Sequence, residues 1–299
     1  MNKYASCTLC PRRCGVDRRD KRGVCGESDK MRIARAALHK WEEPAICTGN
    51  GSGAIFFSGC PLRCCYCQNH EISQEGLGFE ITQAELADKM LSLQKQGACN
   101  ISLITAAQFV PSVIKALDTV KDRLTIPIVY NSSGYESIET LKMLDGYIDI
   151  YLPDIKYFSS LLSQKYSSAP DYFETASLAV DEMIRQVGKP IFDGETLVKG
   201  VIVRHLALPS HKDDSIAIMK YLGEKYASNS LILSVMRQYV PMFGSRDFPE
   251  INRRLTTYEY DRILDEADKY GFYRYIQDKS SSDECFTPKF YGDKDSINI

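Results

Sequence analysis

The sequence predicts an α/β protein in which a parallel sheet follows a small cysteine-rich module. From Gly53 onward, short apolar runs alternate with amphipathic helical patterns, which is typical of successive βα units. Before about residue 50 there is little strand or helix periodicity, but four cysteines lie close together there. We therefore divide the chain into a cysteine-rich module at 1–50, an α/β domain at 51–277 and a carboxyl-terminal tail at 278–299.

Six strands are predicted, each from a short apolar run. They lie at 54–58, 101–105, 126–130, 148–152, 197–204 and 231–235. Because the intervals between them contain helical patterns, these strands are expected to pair in parallel. They could build an open doubly wound sheet or an incomplete barrel, and periodicity alone does not distinguish the two. In both folds the chemistry lies at the carboxyl ends of the strands.

The first long helix has the clearest boundaries. Thr82 and Glu85 match a capping box, and Gly97 is placed to end the helix. Leu86 and Leu93 fall on one face between these signals. Five further helices are predicted at 111–117, 137–144, 176–187, 213–226 and 256–270, the last opened by a second capping box.

The composition argues against two classes of protein. The 37 Lys and Arg residues are balanced by 39 Asp and Glu, so the net charge of −2 does not support nucleic-acid binding through bulk charge. No run approaches the roughly 18 apolar residues of a membrane-spanning helix, and the first residues lack the apolar core of a secretory signal. We therefore expect a cytoplasmic protein with neither a nucleic-acid nor a membrane partner.

Eleven cysteines are many for a reducing compartment, where such a number indicates metal binding or catalysis before disulfides. Four of them, Cys47, Cys65, Cys99 and Cys285, are scattered and are expected to behave as small buried apolar side chains. The other seven form two groups within the first 67 residues. These two groups are the candidate metal ligands.

The first group has the spacing Cys7-x2-Cys10-x3-Cys14-x10-Cys25. Four thiolates can close a tetrahedral zinc site or hold a complete iron–sulfur cube, and the spacing does not distinguish the two. A segment this short cannot supply its own core, so a metal or the neighbouring domain must hold it in shape. An iron–sulfur cluster could relay electrons, whereas zinc could only shape the module.

The second group, directly after the first predicted strand, has the spacing Cys60-x3-Cys64-x2-Cys67. Three thiolates can bind three irons of a 4Fe–4S cube, which leaves the fourth iron open to a ligand that is not a protein side chain. The alternative is a zinc site completed by a distant residue.

This loop, with Tyr66 before its last cysteine, resembles the hallmark of the radical S-adenosylmethionine (SAM) superfamily. Within it the chain is similar to pyruvate formate-lyase activating enzyme, and especially to a homologue group with an additional amino-terminal cysteine module. The similar segments lie at 7–18, 39–44, 49–53, 93–97 and 252–255. The resemblance implies a partial (β/α)6 TIM-like barrel.

The resemblance also implies an activity. A radical SAM enzyme uses a reduced 4Fe–4S cluster to cleave SAM to a 5'-deoxyadenosyl radical, which abstracts a hydrogen atom. By analogy this chain would activate a glycyl radical enzyme and take electrons from a reductant such as flavodoxin or ferredoxin, under anoxic conditions. The alternative within this chemistry is modification of a small molecule or peptide, in a pocket lined by His205, His211, Gln238 and Tyr239. An alternative of another class is a non-catalytic iron–sulfur electron carrier or metal-binding protein.

Site residues follow from the same resemblance. Cys60, Cys64 and Cys67 would hold the cluster. Tyr66 would lie against the adenine, and Asn69 would help to position the nucleoside or methionyl part of SAM.

The resemblance further implies that Asp154 and Lys156 lie near the methionyl carboxylate and that Arg204 faces the active site. A lysine ammonium has an evident electrostatic use beside a carboxylate. Asn131 and Ser132 stand where the family usually has Asp-Thr, so one negative charge is lost at this place.

A second departure concerns the end of the second predicted strand. The Gly-Gly-Glu motif of the superfamily should fall near Thr105 and Gln108, and it is absent there. These two residues offer neutral acceptors instead of a carboxylate. We expect both to contact the cofactor.

Overall fold

A ten-stranded sheet forms the centre of the structure, a computed structural model that describes residues 3–46, 49–276 and 290. The strands are β1 (Arg32–His39), β2 (Ser52–Phe57), β3 (Phe79–Glu80), β4 (Ile101–Ile104), β5 (Ile128–Ser132), β6 (Ile150–Pro153), β7 (Ile191–Asp193), β8 (Thr196–Leu206), β9 (Ile232–Met236) and β10 (Arg274–Ile276). The helices are α1 (His70–Ser73), α2 (Gln83–Lys95), α3 (Val110–Val120), α4 (Ile138–Met143), α5 (Ser160–Ser167), α6 (Tyr172–Val187), α7 (Lys212–Lys225) and α8 (Thr257–Ala267). Every predicted strand and helix overlaps one of these elements.

The order of the strands identifies the architecture. Across the sheet it is β10-β9-β8-β6-β5-β4-β2-β1-β3, and β7 pairs with β8 beside this path. Neighbours from β2 to β10 pair in parallel, and β1 and β3 form an antiparallel edge. The parallel strands are added in chain order without a reversal, whereas a doubly wound sheet reverses at a switch point. The sheet therefore has the topology of an incomplete barrel.

Apolar side chains fill both faces of the sheet. On the outer face, residues such as Leu103 and Val201 share one core with the helices. On the inner face, a short 3-10 turn at Pro44–Ile46 packs inside the barrel, and the carbonyl oxygen of Ile46 accepts hydrogen bonds from Ser52 and Asn100 at the amino ends of β2 and β4. The carboxyl ends of the parallel strands are left to form the site.

Strand β1 corrects one expectation. It lies within residues 1–50, where we predicted little strand periodicity, and that prediction was wrong for this segment. The register between β1 and β2 shifts between Ile33 and Arg35, and such an irregularity interrupts the alternation by which a strand is recognised. The division of the chain at residue 50 stays a prediction.

The described residues bear on the predicted tail and on the question of a membrane-spanning helix. Apart from Phe290, the predicted tail at 278–299 lies outside the described residues, as do Cys47 and Cys285. In the described ranges, no helix combines the length and the apolar character needed to cross a membrane.

The capping box of α2 gives a test of the fold. Thr82 Oγ1 accepts a hydrogen bond from the amide of Glu85 (3.2 Å), and the Glu85 carboxylate accepts one from the amide of Thr82 (2.7 Å). Thr82→Ala should lower the free energy of unfolding by about 1 kcal/mol. Gln83→Ala, at the exposed next position, should change it by less than about 0.5 kcal/mol. Urea denaturation measures both, and equal effects would contradict the role of the cap.

Candidate functional site

The cysteine loop, residues 60–67, leaves β2 through a turn at Gly59. The φ of Gly59 is +79°, and a Cβ there would lie 2.6 Å from the carbonyl oxygen of Cys25, so the turn requires glycine. That same oxygen accepts a hydrogen bond from the amide of Cys60 (3.2 Å). The amide of Cys65 donates to the carbonyl oxygen of Tyr166 (2.8 Å). The loop is therefore fixed from two sides.

Cys60, Cys64 and Cys67 line one cavity of about 260 Å³, whereas Cys65 does not line it. Burial raises the pKa of all three thiols, that of Cys64 to about 11. The positive charge of Lys156 acts in the opposite direction and lowers each pKa. Within the described residues, no three His, Cys, Asp or Glu side chains converge on a single ion position. Three thiols that line one cavity can each bind a different iron of one cube, so their placement fits cluster chemistry.

Asp154 lies between two cations at the wall of the cavity. Its Oδ1 accepts a hydrogen bond from Arg204 Nε (2.8 Å) and its Oδ2 accepts one from Lys156 Nζ (2.5 Å). Arg204 Nη2 also donates to Asn131 Oδ1 (2.7 Å). Burial raises the pKa of the Asp154 carboxyl, but Arg204 and Lys156 outweigh this effect and the pKa is lowered. Asp154 is therefore charged and holds both cations in place.

A chain of buried hydroxyls connects Tyr66 to Cys64. The hydroxyl oxygens of Tyr66 and Tyr157 are 2.6 Å apart, and Tyr157 Oη lies 2.7 Å from Ser167 Oγ. Ser167 Oγ donates to Cys64 Sγ at 3.0 Å. Burial raises the pKa of both tyrosines well above the ordinary value, so both stay protonated. A candidate ligand sulfur thus accepts a hydrogen bond, and such bonds tune the potential of iron–sulfur clusters.

Thr105 and Gln108 differ in their placement. Thr105 lines the cavity with a φ of +59°, a rare conformation for a β-branched residue and one that clusters at functional sites. Gln108 does not line the cavity. Its Nε2 donates to the carbonyl oxygens of Ser58 (2.7 Å), Gly59 (3.0 Å) and Thr105 (2.8 Å). Gln108 therefore fixes the turn before the cysteine loop, which corrects the expected direct contact with the cofactor.

Sequence reasoning missed the residues that reach the cavity from the segment after β1. His39, Trp41 and Glu42 line it. Ser102 Oγ donates to Glu42 Oε1 at 3.5 Å. Burial raises the pKa of Glu42 to about 7, while Arg204 acts in the opposite direction. A carboxyl group thus enters the cavity although the Gly-Gly-Glu motif is absent, and its sequence signal was the acidic pair that follows the single tryptophan.

The structure brings together all the residues predicted to hold the cluster or SAM except Gln108. Those lining the cavity are Cys60, Cys64, Cys67, Tyr66, Asn69, Thr105, Asn131, Ser132, Asp154, Lys156 and Arg204. Gln238 and Tyr239 line it as well, whereas the imidazoles of His205 and His211 are hydrogen-bonded outside it. The roles of these residues toward ligands stay predictions.

The amino-terminal cysteines lie behind the cysteine loop, where Cys25 contacts Gly59 and Cys60. Cys7, Cys10 and Cys25 are buried and Cys14 is partly exposed. All cysteines in the described residues are free thiols. The metal of this module stays a prediction.

Comparison with known proteins identifies the family. The family model for the radical SAM superfamily matches residues 54–207, just over half of the chain. The chain belongs to the radical SAM superfamily. Membership implies a 4Fe–4S cluster and SAM as cofactors, and the matched range contains the cysteine loop, Asp154, Lys156 and Arg204.

This radical SAM chain is 30% identical over 279 residues to an uncharacterised protein of Methanocaldococcus jannaschii, covering 90% of this chain and 76% of the relative. These matches establish the superfamily and not a narrower group within it.

Solved structures support the fold. The chain matches a variant of spore photoproduct lyase with a TM-score of 0.55 at 11% identity, covering 82% of this chain and 81% of that one. It matches a radical SAM methyltransferase from Sphaerobacter thermophilus with a TM-score of 0.53 at 12% identity (76% and 66% covered). It matches the FeFe-hydrogenase maturase HydG with a TM-score of 0.51 at 15% identity (73% and 48% covered), and so spans about half of that chain. At these identities the likeness shows the fold alone.

Glu42 provides a test of the electrostatics inside the barrel. Because its pKa is raised to about 7, the folded protein binds a proton that the unfolded chain has released, and this contribution to stability is lost as the pH rises through about 7. Glu42→Gln removes the effect. The unfolding temperature of the variant minus that of wild type should therefore be more positive at about pH 8 than at about pH 5. Anoxic calorimetry measures this difference, and an equal difference at both pH values would contradict a raised pKa.

Proposed function

We propose that the chain is a radical SAM enzyme that holds a 4Fe–4S cluster on Cys60, Cys64 and Cys67, binds SAM in the adjoining cavity and cleaves it reductively. The observation that carries this proposal is that the three thiols line one cavity with Asp154 and Lys156. Three protein ligands leave one iron of a cube open, and the cavity is where its remaining ligand can enter. When bound, the cluster supplies one electron and SAM supplies the 5'-deoxyadenosyl radical that abstracts hydrogen.

The charges of the cavity wall fit the methionyl carboxylate of SAM. Lys156 and Arg204 carry two positive charges and Asp154 carries one negative charge, so this group has a net charge of +1. An aspartate at the position of Asn131 would cancel that charge, whereas the amide present here leaves it. The lost acid of the family pattern therefore strengthens the attraction between this wall and a carboxylate.

Aromatic and amide groups fit the rest of SAM. Tyr66 packs edge-on against Tyr239, with ring centroids 5.8 Å apart, and both line the cavity, so we propose that Tyr66 contacts the adenine. Asn69 precedes α1 without making a side-chain capping bond, and its amide lines the cavity where it can bind the nucleoside or methionyl groups. Thr105 offers a hydroxyl on the same wall. Ser132 donates to Glu136 (2.6 Å) and so shapes the turn after β5.

We propose that the electron comes from an acidic carrier protein such as flavodoxin or ferredoxin. Arg63 of the cysteine loop is exposed, and its guanidinium contacts the carbonyl oxygen of Val24 at 3.5 Å. Lys21 and Arg22 are exposed in the same amino-terminal segment. A basic rim beside the candidate cluster site suits an acidic partner, since complementary charge steers association.

The ligand assignment predicts opposite effects of two adjacent changes. Cys64→Ala should abolish the oxygen-sensitive cluster of the loop and all formation of 5'-deoxyadenosine from SAM, because Cys64 lines the cavity. Cys65→Ala is the matched control and should retain both, because Cys65 lies outside the cavity lining. Absorption spectra of anoxically reconstituted protein and product chromatography check both. Equal damage from the two changes would show that the ligand assignment is wrong.

For the target of the radical we propose, from the resemblance to the activating enzyme, a glycine of a glycyl radical enzyme. Trp41 lines the cavity and is 64% exposed, so this part of the cavity wall is accessible to a loop of a partner protein. Reduced holoenzyme with SAM and a candidate partner should give the electron paramagnetic resonance signal of a glycyl radical. Production of 5'-deoxyadenosine without this signal from any candidate partner would favour a small molecule or peptide as substrate. No 5'-deoxyadenosine at all would favour an electron carrier.

A further inference from the structure

The amino-terminal module contains a fully buried arginine with an unusual set of partners. Arg18 donates to the carbonyl oxygens of Glu27 (3.1 Å), Gln108 (2.6 Å) and Ser28 (2.5 Å). Within the described residues, none of its hydrogen bonds goes to a carboxylate, and the carboxylate of Glu27 pairs with Arg32 instead (3.1 Å). A buried charge is costly unless an opposite charge compensates it. Arg18 also lies over the rings of Tyr4 (5.0 Å to the centroid) and Phe109 (5.5 Å), but no described carboxylate forms an ion pair with it, so a negatively charged group in this module would compensate its charge.

Three thiols of the module, those of Cys7, Cys14 and Cys25, lie near the Arg18 side chain. Arg18 Nη1 lies 3.8 Å from Cys7 Sγ. A Cβ placed on Gly23 would lie 3.5 Å from Cys14 Sγ, 3.4 Å from Cys25 Sγ and 3.5 Å from the Cδ of Arg18. Gly23 thus leaves a small space in which two sulfurs and the arginine side chain meet.

We propose that Cys7, Cys10, Cys14 and Cys25 bind a second iron–sulfur cluster whose thiolate ligands provide the negative charge that compensates Arg18. Four thiolates outweigh the positive charge of a 4Fe–4S core, so the ligated cube is an anion. A zinc tetrathiolate would carry the same charge, so iron is favoured over zinc by position: Cys25 contacts the cysteine loop through Cys60, where a centre that carries electrons has a use. The N–H group of Arg18 points to Cys7 Sγ, and hydrogen bonds to a ligand sulfur tune the reduction potential of an iron–sulfur cluster.

The second centre lies where it could pass electrons to the cysteine loop. This role rests on the proposed function of that loop. The carbonyl oxygen of Cys25 accepts from the amide of Cys60, and Arg18 contacts Gln108, which holds the turn at Gly59. The two cysteine groups are therefore in direct backbone contact. A cluster held by the amino-terminal cysteines would therefore be placed to pass one electron, received from the protein carrier, to the cluster of the loop.

The experiment uses the full chain with the changes Cys60→Ser, Cys64→Ser and Cys67→Ser, reconstituted anoxically with iron and sulfide. Iron, acid-labile sulfide and zinc are measured, and dithionite-reduced samples are examined by electron paramagnetic resonance. We expect about four irons per chain in this triple variant against about eight in wild type. Stoichiometric zinc without iron, or no metal in the triple variant, overturns the second cluster. Equal iron in both proteins would instead overturn the proposed cluster of the loop.

The role of Arg18 is tested in the same triple variant. Arg18→Gln should shift the midpoint potential of the remaining cluster to a more negative value, because a positive charge beside the cluster is removed, while Arg18→Lys should retain most of the potential. Arg19→Gln is the exposed control and should change nothing. An unchanged potential in a metal-loaded Arg18→Gln variant overturns the charge compensation. If the Arg18→Gln variant does not fold, Arg18→Lys is compared with the triple variant that keeps Arg18, and loss of the cluster or a large shift in its potential although the positive charge is kept overturns the charge compensation.

Discussion

The site depends on the parallel register of the strands. Phe56 of β2 lies beside Ile104 of β4, Ile104 lies beside Asn131 of β5, and Asn131 lies beside Leu152 of β6. With these positions level, the residues that follow each strand emerge at one rim of the incomplete barrel. The cysteine loop, Thr105, Asn131, Asp154 and Arg204 consequently line a single cavity although they are far apart in the sequence. A shift of one residue in any pairing would turn a strand's side chains to the other face.

Within that cavity, Asp154 organises the charge. Removing one partner of a buried ion pair typically costs about 3–5 kcal/mol because the other charge is left uncompensated. Lys156 and Arg204 are therefore held before any ligand arrives, and a carboxylate meets an electrostatic environment that is already arranged. The amide of Asn131 fits the same arrangement, since it accepts from Arg204 without neutralising it.

The sequence predicted those parts of the protein that have a local signal. Thr82 and Thr256 mark the starts of α2 and α8 because a capping box is made by residues three apart. The cysteine loop was predictable from the spacing of its cysteines. The strand ends that carry Asp154 and Arg204 were predictable from the alternation of strand and helix patterns. Strand β1 was not predictable, because its irregular register hides the alternation of its side chains.

The features of the site that the sequence did not predict depend on tertiary contacts. Gln108 stands at the expected strand end, but its amide is bound to three carbonyl groups that are defined only once the cysteine loop folds back. Glu42 enters the cavity because the Pro44–Ile46 turn packs inside the barrel, and the acidic pair after the tryptophan gives no sign of that packing. Arg18 is one of six basic residues between positions 12 and 22, and nothing in the local sequence distinguishes it from the others, yet it is fully buried.

The most direct test of this account is electron–nuclear double resonance on the reduced holoprotein, with SAM labelled with 15N and 17O in its amino and carboxylate groups. An iron that three sulfurs leave open should coordinate these atoms, so strong hyperfine couplings to both labels are predicted. If SAM binds by an independent measurement and neither label couples to the cluster, the cavity does not present an open iron and the account is contradicted.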